Sequence, residues 1–336
     1  MGENMKRLLV NDLLTCIPGT RTFWHDLQDW FDLEFVGGDY AELVKIADER
    51  ALSITPAEMT ANGIEIADPP SLIVRNASYF GPLKASKDIP TISLLQDILD
   101  GPGREAQEKV FDSCHAVVFN SEFVKDKHTV GWRSAIGRVI PLPVDFSLFE
   151  PGNAMGLQQA LSLPDDCVCW VGASEGAAGE IKGWDRFLSL VRLNPDIHFV
   201  AVFKDKQPEY APPNLRMFTR LTHDELVKVV GACRVGLCTS RMETQHLAGI
   251  EMGACGLFMV APPVGVYWKR EDMPGIVVGE PTPVQYTSAL RAALANPGDP
   301  QATRSYWQKE FDKPVVKAAW AELIEEIEEV ECSGQS

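Results

Sequence analysis

Short apolar runs recur along the chain and are separated by polar stretches with helical or loop-like patterns. Five runs come before residue 150 (RLLVND, SLIVRN, PTISLLQD, AVVFNS, GRVIPLP), and six come after it (CVCWVG, HFVAVFKD, LRMFTR, VGLCTS, LFMVAP, GIVVGE). Runs of this kind, alternating with helical segments, are typical of βαβ units around a buried parallel sheet. The pattern predicts an α/β protein.

The two series of runs predict two domains. A loop over 150–154 separates them, and 336 residues are too many for one ordinary core. Near the C-terminus, apolar residues at helical spacing with glutamates between them predict an amphipathic helix, its apolar positions being Trp320, Leu323, Ile324 and Ile327. We expect one Rossmann-like domain over 1–148, a second over 155–308, and a C-terminal helix over 309–336 that returns to the first domain.

Composition and charge narrow the class of protein. The chain is 45% hydrophobic and 23% charged, and no apolar run reaches the about 20 residues that a bilayer requires. The N-terminus has no signal-peptide pattern, so we expect a soluble cytoplasmic protein. The net charge of −16 disfavours nucleic acid and anionic lipid as partners. The eight cysteines follow no metal-type spacing and are interpreted as reduced core thiols.

A loop rich in small residues follows the run CVCWVG. It contains Gly172, Gly176 and Gly179, and Lys182 follows it at the start of an amphipathic segment. Glycine lets the backbone approach a ligand closely, and a helix N-terminus favours phosphate. The loop matches neither a P-loop nor a dinucleotide fingerprint. Taken alone, Lys182 is either a phosphate ligand or an exposed structural lysine.

Two glutamates follow the run VGLCTS. Glu243 lies in the next loop or first helical turn, and Glu251 lies eight positions later, slightly more than two helical turns on. Carboxylates at this spacing can project to one side and accept hydrogen bonds from the hydroxyls of a sugar and of a ribose. The backbone amides of Thr244 to His246 can donate to phosphate. The alternative is a helix-terminal charge at Glu243 and a structural hydrogen bond at Glu251.

The arrangement Ser240-x-x-Glu243-x7-Glu251 resembles the donor-site signature of retaining glycosyltransferases of the GT-B fold, in particular family 4. Three other segments resemble that family in the same order along the chain: VVFNSEFVKDK, VIPLPVDFSLFEP and EIKGWDRFLSLV. The resemblance covers about residues 110 to 290. It implies two Rossmann-like domains that face each other across a cleft.

The resemblance also implies roles for individual residues. Glu243 would contact the donor sugar, Glu251 the nucleotide ribose, and Lys182 the diphosphate leaving group. A glycine-containing loop after the first strand would place Gly19 and Thr20 near the phosphates or the acceptor. The remaining donor-binding residues implied by the motif are Gly172, Ser240, Thr244, Gln245, His246 and Leu247.

The chain departs from the family pattern at three places. Gly172-Ala173 stands where the family has Gly-Arg, so the second phosphate cation either is missing or comes from elsewhere, with Lys204, Arg241 and Arg21 as candidates. Thr244-Gln245-His246 replaces a Gly-Phe-Gly-like segment. Gln96-Asp97 stands where many members carry the acceptor-side histidine, which makes Asp97 the candidate replacement.

The resemblance implies transfer of a sugar, with retention, from a UDP- or GDP-type nucleotide sugar to an acceptor hydroxyl. No cofactor and no essential metal are expected, and the donor acts as a co-substrate. The resemblance leaves the acceptor open among a glycan, a metabolite and a modified nucleobase. Nucleic acid is expected as a partner only if it carries such a modified base. The sequence does not indicate an oligomeric state. Two alternatives stay open: a weak or inactive nucleotide-sugar sensor or partner subunit, and a sugar-nucleotide epimerase of the same fold.

Overall fold

The computed structural model describes residues 7–11, 30–36, 58–60, 63–65, 72–76, 89–98, 111, 114–128, 136–152, 154–204 and 206–334. The chain divides into two compact units. The first unit comprises Met1–Pro143 with Lys313–Ser336, and the second comprises Val144–Asp312. Gly19, Thr20 and Arg21 lie outside the described residues.

The first unit contains a six-stranded parallel sheet with the order β2-β1-β5-β6-β7-β8. Its strands are β1 (Arg7–Asn11), β2 (Asp32–Val36), β5 (Leu72–Asn76), β6 (Thr91–Leu95), β7 (Ala116–Phe119) and β8 (Ile136–Val139). The short strands β3 (Glu58–Thr60) and β4 (Gly63–Glu65) form an antiparallel pair. Helix α1 (Glu122–His128) follows β7, and its first turn is capped by Ser121 Oγ, which accepts from the Val124 N–H.

The second unit contains a parallel sheet with the order β11-β10-β9-β12-β13-β14. Its strands are β9 (Cys167–Gly172), β10 (His198–Phe203), β11 (Leu215–Thr219), β12 (Val235–Leu237), β13 (Phe258–Ala261) and β14 (Gly275–Val277). Its helices are α2 (Ala154–Leu161), α3 (Gly176–Lys182), α4 (Trp184–Leu193), α5 (His223–Gly231), α6 (Leu247–Ala254), α7 (Pro283–Ala295) and α8 (Pro300–Phe311).

Both faces of the second sheet are buried, which explains why its strands are apolar runs. Along β9, Val168 and Trp170 pack on one face with the residues of α4 and α7, whereas Cys167 and Cys169 pack on the other face with α6 and α8. Successive side chains of a strand point to opposite faces, so each face receives every second residue. This double burial fixes the position of the strand ends from which the site loops depart.

The chain enters and leaves the second unit at adjacent points. The backbone N–H of Val144 donates to the carbonyl of Phe311 at 2.8 Å, and Val144 pairs with Asp312 as a parallel β-bridge. From Lys313 the chain continues as helix α9 (Lys313–Gly334), which belongs to the first unit. Within that unit Arg138 of β8 donates to Glu326 of α9 at 2.6 Å.

The α/β class predicted from the apolar runs is confirmed, since ten of the eleven runs contain a strand and the run GRVIPLP overlaps β8. The predicted apolar positions of the C-terminal helix, Trp320, Leu323, Ile324 and Ile327, are all buried. The sequence interpretation missed β2, β3 and β4. Six cysteines fall in the described part of the chain, and all six are buried free thiols, as predicted. In that same part, no helix combines the length and the apolar character that a bilayer-spanning segment needs.

Candidate functional site

The predicted site residues of the second unit lie at the carboxyl end of its sheet. The strand order reverses between β9 and β12. At such a switch point the loops after the two strands diverge, and the crevice between them is where open α/β sheets bind ligands. The segment after β9 leads through α3 to Lys182, and the loop after β12 carries Ser240 and Glu243. The fold thus brings together two segments separated by 61 residues in sequence.

Lys182 and Glu243 form an ion pair. Lys182 Nζ donates to Glu243 Oε1 at 2.7 Å, and Ser240 Oγ donates to the same oxygen at 2.6 Å. The Glu243 side chain is 9% exposed and that of Lys182 is 32% exposed. Burial by itself raises the pKa of Glu243, but the positive charge of Lys182 and these two hydrogen bonds lower it, so the pKa lies below its ordinary value. Glu243 is therefore ionised at neutral pH.

The turn between α3 and α4 holds Lys182 against the β12 loop. Gly183 adopts a left-handed conformation (φ 69°), and a Cβ there would lie 2.1 Å from the carbonyl oxygen of Thr239. Thr239 Oγ1 is 3.0 Å from the carbonyl oxygen of Lys182 and 3.1 Å from that of Gly183. The indole N–H of Trp170 in turn donates to Thr239 Oγ1 at 3.0 Å. Glycine is required here because the two segments touch backbone to backbone.

Arg241 makes a second connection between the same segments. Its guanidinium pairs with both carboxylate oxygens of Asp185 at 2.8 and 2.6 Å and also donates to the Glu180 carbonyl at 2.8 Å. Its backbone N–H donates to the Ile181 carbonyl at 2.8 Å. The hydrogen bond and charge of Arg241 lower the pKa of Asp185. Arg241, a candidate for the second phosphate cation, is thus already engaged.

His246 occupies a left-handed backbone position immediately before α6. Its φ is 78°, a conformation that few residues other than glycine adopt. The ring nitrogen Nδ1 lies 2.7 Å from the hydroxyl of Tyr267. Burial lowers the pKa of His246 to about 4, so the imidazole is neutral at pH 7. Gly249 makes this pairing possible, since a Cβ there would lie 1.8 Å from the Tyr267 hydroxyl and 2.3 Å from His246 Nδ1.

Glu251 lies inside α6, while Glu243 lies in the loop four residues before that helix begins. As a residue Glu251 is partly exposed, yet its carboxyl group is far enough from water that burial raises its pKa to about 7. Among the described residues, no side chain or backbone group forms a hydrogen bond or ion pair with this carboxyl. A desolvated acceptor of this kind is suited to hydroxyl groups of a ligand.

Cys238, Glu243 and His246 bring three potential metal-ligand atoms within 4.8 Å of one another. Two of the three groups already have partners. Glu243 pairs with Lys182, and His246 Nδ1 lies 2.7 Å from the Tyr267 hydroxyl. Burial raises the pKa of the Cys238 thiol to about 12. We interpret Cys238 and His246 as buried neighbours that pack around Glu243.

The other predicted residues are placed as follows. Gly172 ends β9, and a Cβ there would meet the Trp170 ring at 2.5 Å, which gives this glycine a packing role. The carbonyl of the buried Gln245 accepts from the Val266 N–H at 3.0 Å, which fastens the loop to the turn Gly265–Tyr267. Thr244 precedes Gln245, Leu247 is the first residue of α6, and both are partly buried. Asp97 is partly buried and follows β6 in the first unit; Gly19 and Thr20 lie outside the described residues.

Three site residues were not identified from the sequence: Thr239, Tyr267 and Asp185. Each acts on a partner far away in the sequence, so neither periodicity nor local spacing reveals it. A weak signal existed for Asp185, because it belongs to the Lys182-Gly183-Trp184-Asp185 segment that carried the resemblance.

No family model matches the chain. Over 207 residues it is 26% identical to D-inositol 3-phosphate glycosyltransferase from Mycolicibacterium gilvum, a match that covers 56% of this chain and 46% of that protein. The chain thus spans about half the length of this relative.

Solved structures align along nearly the whole chain. Sucrose-phosphate synthase from Thermosynechococcus elongatus has a TM-score of 0.71 at 12% identity and covers 97% of this chain and 100% of its own. A glycosyltransferase from Rickettsia africae has a TM-score of 0.73 at 14% identity, and the alignment covers 97% of this chain and 99% of that protein. The chain has the GT-B fold. Anabaena HepE in complex with UDP and glucose aligns similarly, with a TM-score of 0.69 at 14% identity over 96% of this chain and 100% of its own.

The GT-B fold confirms the fold class predicted from the sequence, with two parallel α/β sheets, and the resemblance to glycosyltransferases is confirmed by these relatives. In this GT-B chain the ion pair, Thr239, His246 and Glu251 all belong to the second unit.

Proposed function

We propose that the chain is a retaining glycosyltransferase that moves a sugar from a UDP- or GDP-type nucleotide sugar to an acceptor hydroxyl, without a metal. The observation that carries the proposal is the Lys182–Glu243 ion pair at the switch point of the second sheet. Transferases and a UDP complex among the structural relatives support a nucleotide-sugar donor.

Lys182 is suited to the leaving group. When the bond between the sugar and the diphosphate breaks, negative charge grows on the departing phosphate oxygen. A fixed ammonium group stabilises that charge more in the transition state than in the ground state. The α3–α4 turn holds Lys182 through Gly183 and Thr239, so little reorganisation is needed during the reaction.

The two glutamates are suited to the hydroxyl groups of the donor. Glu243 is ionised, and within the described residues no donor reaches its second oxygen, Oε2. This oxygen accepts a hydrogen bond from a hydroxyl of the donor sugar, and the Glu251 carboxyl accepts one from a hydroxyl of the ribose. A phosphate oxygen of the leaving group takes the proton of the acceptor hydroxyl as the new bond forms on the face from which the diphosphate departs.

Donor binding tests the proposal directly. A thermal-shift panel should show one nucleotide sugar that stabilises the wild type by about 2.7 kcal/mol at a hundred times its dissociation constant. Glu251→Ala and Glu243→Ala should abolish this shift. Glu271→Ala, at an exposed glutamate of the same unit, serves as the control and should keep it.

Turnover and product analysis test the transfer. With the stabilising donor, we expect release of free nucleotide diphosphate that depends on an acceptor alcohol, and a product with the anomeric configuration of the donor sugar by NMR. Binding without turnover would favour the sensor, and acceptor-independent release of nucleotide the epimerase. No binding to any donor would refute the proposal.

A further inference from the structure

The charge at the candidate donor site is incomplete for a diphosphate. Lys182 is the cation closest to Glu243, but the two side chains neutralise each other as an ion pair. A nucleoside diphosphate carries more than one negative charge, and burying uncompensated charge is costly. If the proposed function holds, a further cation at the carboxyl end of the same sheet would compensate the remaining charge of the diphosphate.

Arg241 does not fill this role. Both of its terminal nitrogens contact Asp185, and one also donates to the Glu180 carbonyl. Releasing the guanidinium for a phosphate would break a bidentate pair and loosen the turn that positions Lys182. Arg241, which lies two residues before Glu243, therefore holds the β12 loop against α3 and α4.

Lys204 has the required position. It follows β10 directly, and Phe203, the last residue of β10, pairs in register with Gly172 at the end of β9. Lys204 therefore leaves the sheet beside Ala173, the first residue of the loop after β9. In the sheet order β10-β9-β12, that loop lies between Lys204 on one side and the β12 loop with Glu243 on the other.

The Lys204 side chain is also available. It is exposed and forms no ion pair or hydrogen bond with any group in the described part of the chain. The neighbouring Lys206 differs, because its Nζ lies 3.8 Å from Glu175 Oε2. That contact demonstrates that a lysine side chain from this segment reaches the loop after β9.

We propose that Lys204 is the second cation of the donor site and binds the diphosphate of the nucleotide sugar together with Lys182. The assignment rests on the proposed function. It gives the chain a lysine directly after β10 in place of an arginine directly after β9, and it leaves Arg241 as a positioning residue.

The test compares Lys204→Gln with the matched control Lys206→Gln. Both residues are exposed lysines of one segment, so neither change should alter the melting temperature. Calorimetric titrations use UDP, UMP and uridine, or the guanosine series if the wild type prefers GDP. Lys204→Gln should weaken the affinity for the diphosphate about tenfold, as expected for loss of a charge-assisted contact, and leave that for the nucleoside unchanged.

Two further readouts separate a phosphate contact from a general effect. The dependence of diphosphate affinity on ionic strength should be shallower in Lys204→Gln than in the wild type, and Lys204→Arg should restore most of the affinity. Lys206→Gln should stay within about twofold of the wild type, because its exposed pair with Glu175 contributes little.

The outcomes are distinguishable. If the wild type binds diphosphate nucleotides and the two glutamine variants behave alike, the assignment of Lys204 is wrong while the proposed function stands. An equal loss for uridine and UDP in Lys204→Gln would likewise overturn it. If the wild type binds neither UDP nor GDP, the proposed function itself fails and the assignment falls with it.

Discussion

The Glu251 carboxyl group is desolvated without a charged partner among the described residues, and its pKa is raised to about 7. In the unfolded chain a glutamate has a pKa of about 4.3. Between these values the folded protein holds a proton that the unfolded chain has released. The free energy of unfolding should therefore fall as the pH rises from about 4.5 to 7, by up to about 3 kcal/mol from this group alone.

Glu251→Gln should remove this contribution. Its amide does not titrate, so the stability difference between variant and wild type should grow in favour of the variant from pH 5 to pH 8. His246 has the opposite effect on the pH dependence of stability, because its lowered pKa makes the free energy of unfolding rise with pH between about 4 and 6.5. Both proteins contain His246, so its effect cancels in the difference between them. Urea unfolding across this pH range measures the difference, and parallel curves would show that the carboxyl is solvated.

Gly249 tests the support beneath the glutamate loop. Gly249→Ala would place a methyl group 1.8 Å from the Tyr267 hydroxyl and break its contact with His246. We expect a loss of about 1–3 kcal/mol in stability, as for other overpacked cores, together with loss of donor binding. Gly279→Ala, where no atom lies within 4 Å of the added carbon, should be close to neutral. Equal effects of the two changes in chemical unfolding would contradict the packing argument.

At the scale of elements, the α3–α4 turn and the β12 loop behave as one assembly. Thr239, Arg241 and Glu243 alternate along the loop, and each contacts the turn. A displacement of either segment therefore moves Lys182 relative to Glu243. Such long-range supports matter for function because catalytic groups that are misplaced by an ångström lose much of their effect.

The Arg241–Asp185 pair allows a controlled test of this assembly. Arg291 and Asp196 form a similar exposed bidentate pair in the same unit, with distances of 2.8 and 3.0 Å. Surface pairs contribute little to stability, so Arg241→Gln and Arg291→Gln should each cost less than about 1 kcal/mol. Only Arg241→Gln should lower kcat/KM for the donor, by about tenfold, which corresponds to about 1.4 kcal/mol. Equal kinetics in both variants would show that the turn holds Lys182 without Arg241.

Part of this organisation was predictable from the sequence. The strands of the second unit were apparent because both sheet faces are buried, which makes each strand a continuous apolar run. β2 was missed because its segment Asp32-Leu33-Glu34-Phe35-Val36 mixes charged and apolar residues, and it lies at the edge of its sheet. The contacts of Arg241 with Asp185 depend on the packing of two segments separated by 56 residues, which no local pattern encodes.

At the scale of the whole molecule, the second unit has its own sheet and cores on both faces of it. A segment over 144–312 should therefore fold on its own, with cooperative thermal unfolding and the dispersed amide spectrum of a native domain. Since Lys182, Lys204, Glu243 and Glu251 all lie within it, the fragment should also bind the nucleotide diphosphate with an affinity near that of the full chain. A fragment that unfolds without cooperativity would show that its stability depends on the first unit.

The β-bridge between Val144 and Asp312 has a consequence for how such chains can diversify. The chain enters the second unit at Val144 and leaves it at Asp312, and these two residues are paired. The gene segment that encodes this unit can therefore be replaced as a whole. Exchanging it for the corresponding segment of a related GT-B chain would require two splices in the gene but would disturb the structure at one place. If the proposed function holds, such an exchange would transfer donor preference to an unchanged first unit, and recombination at these two codon positions would produce new pairings of donor and acceptor.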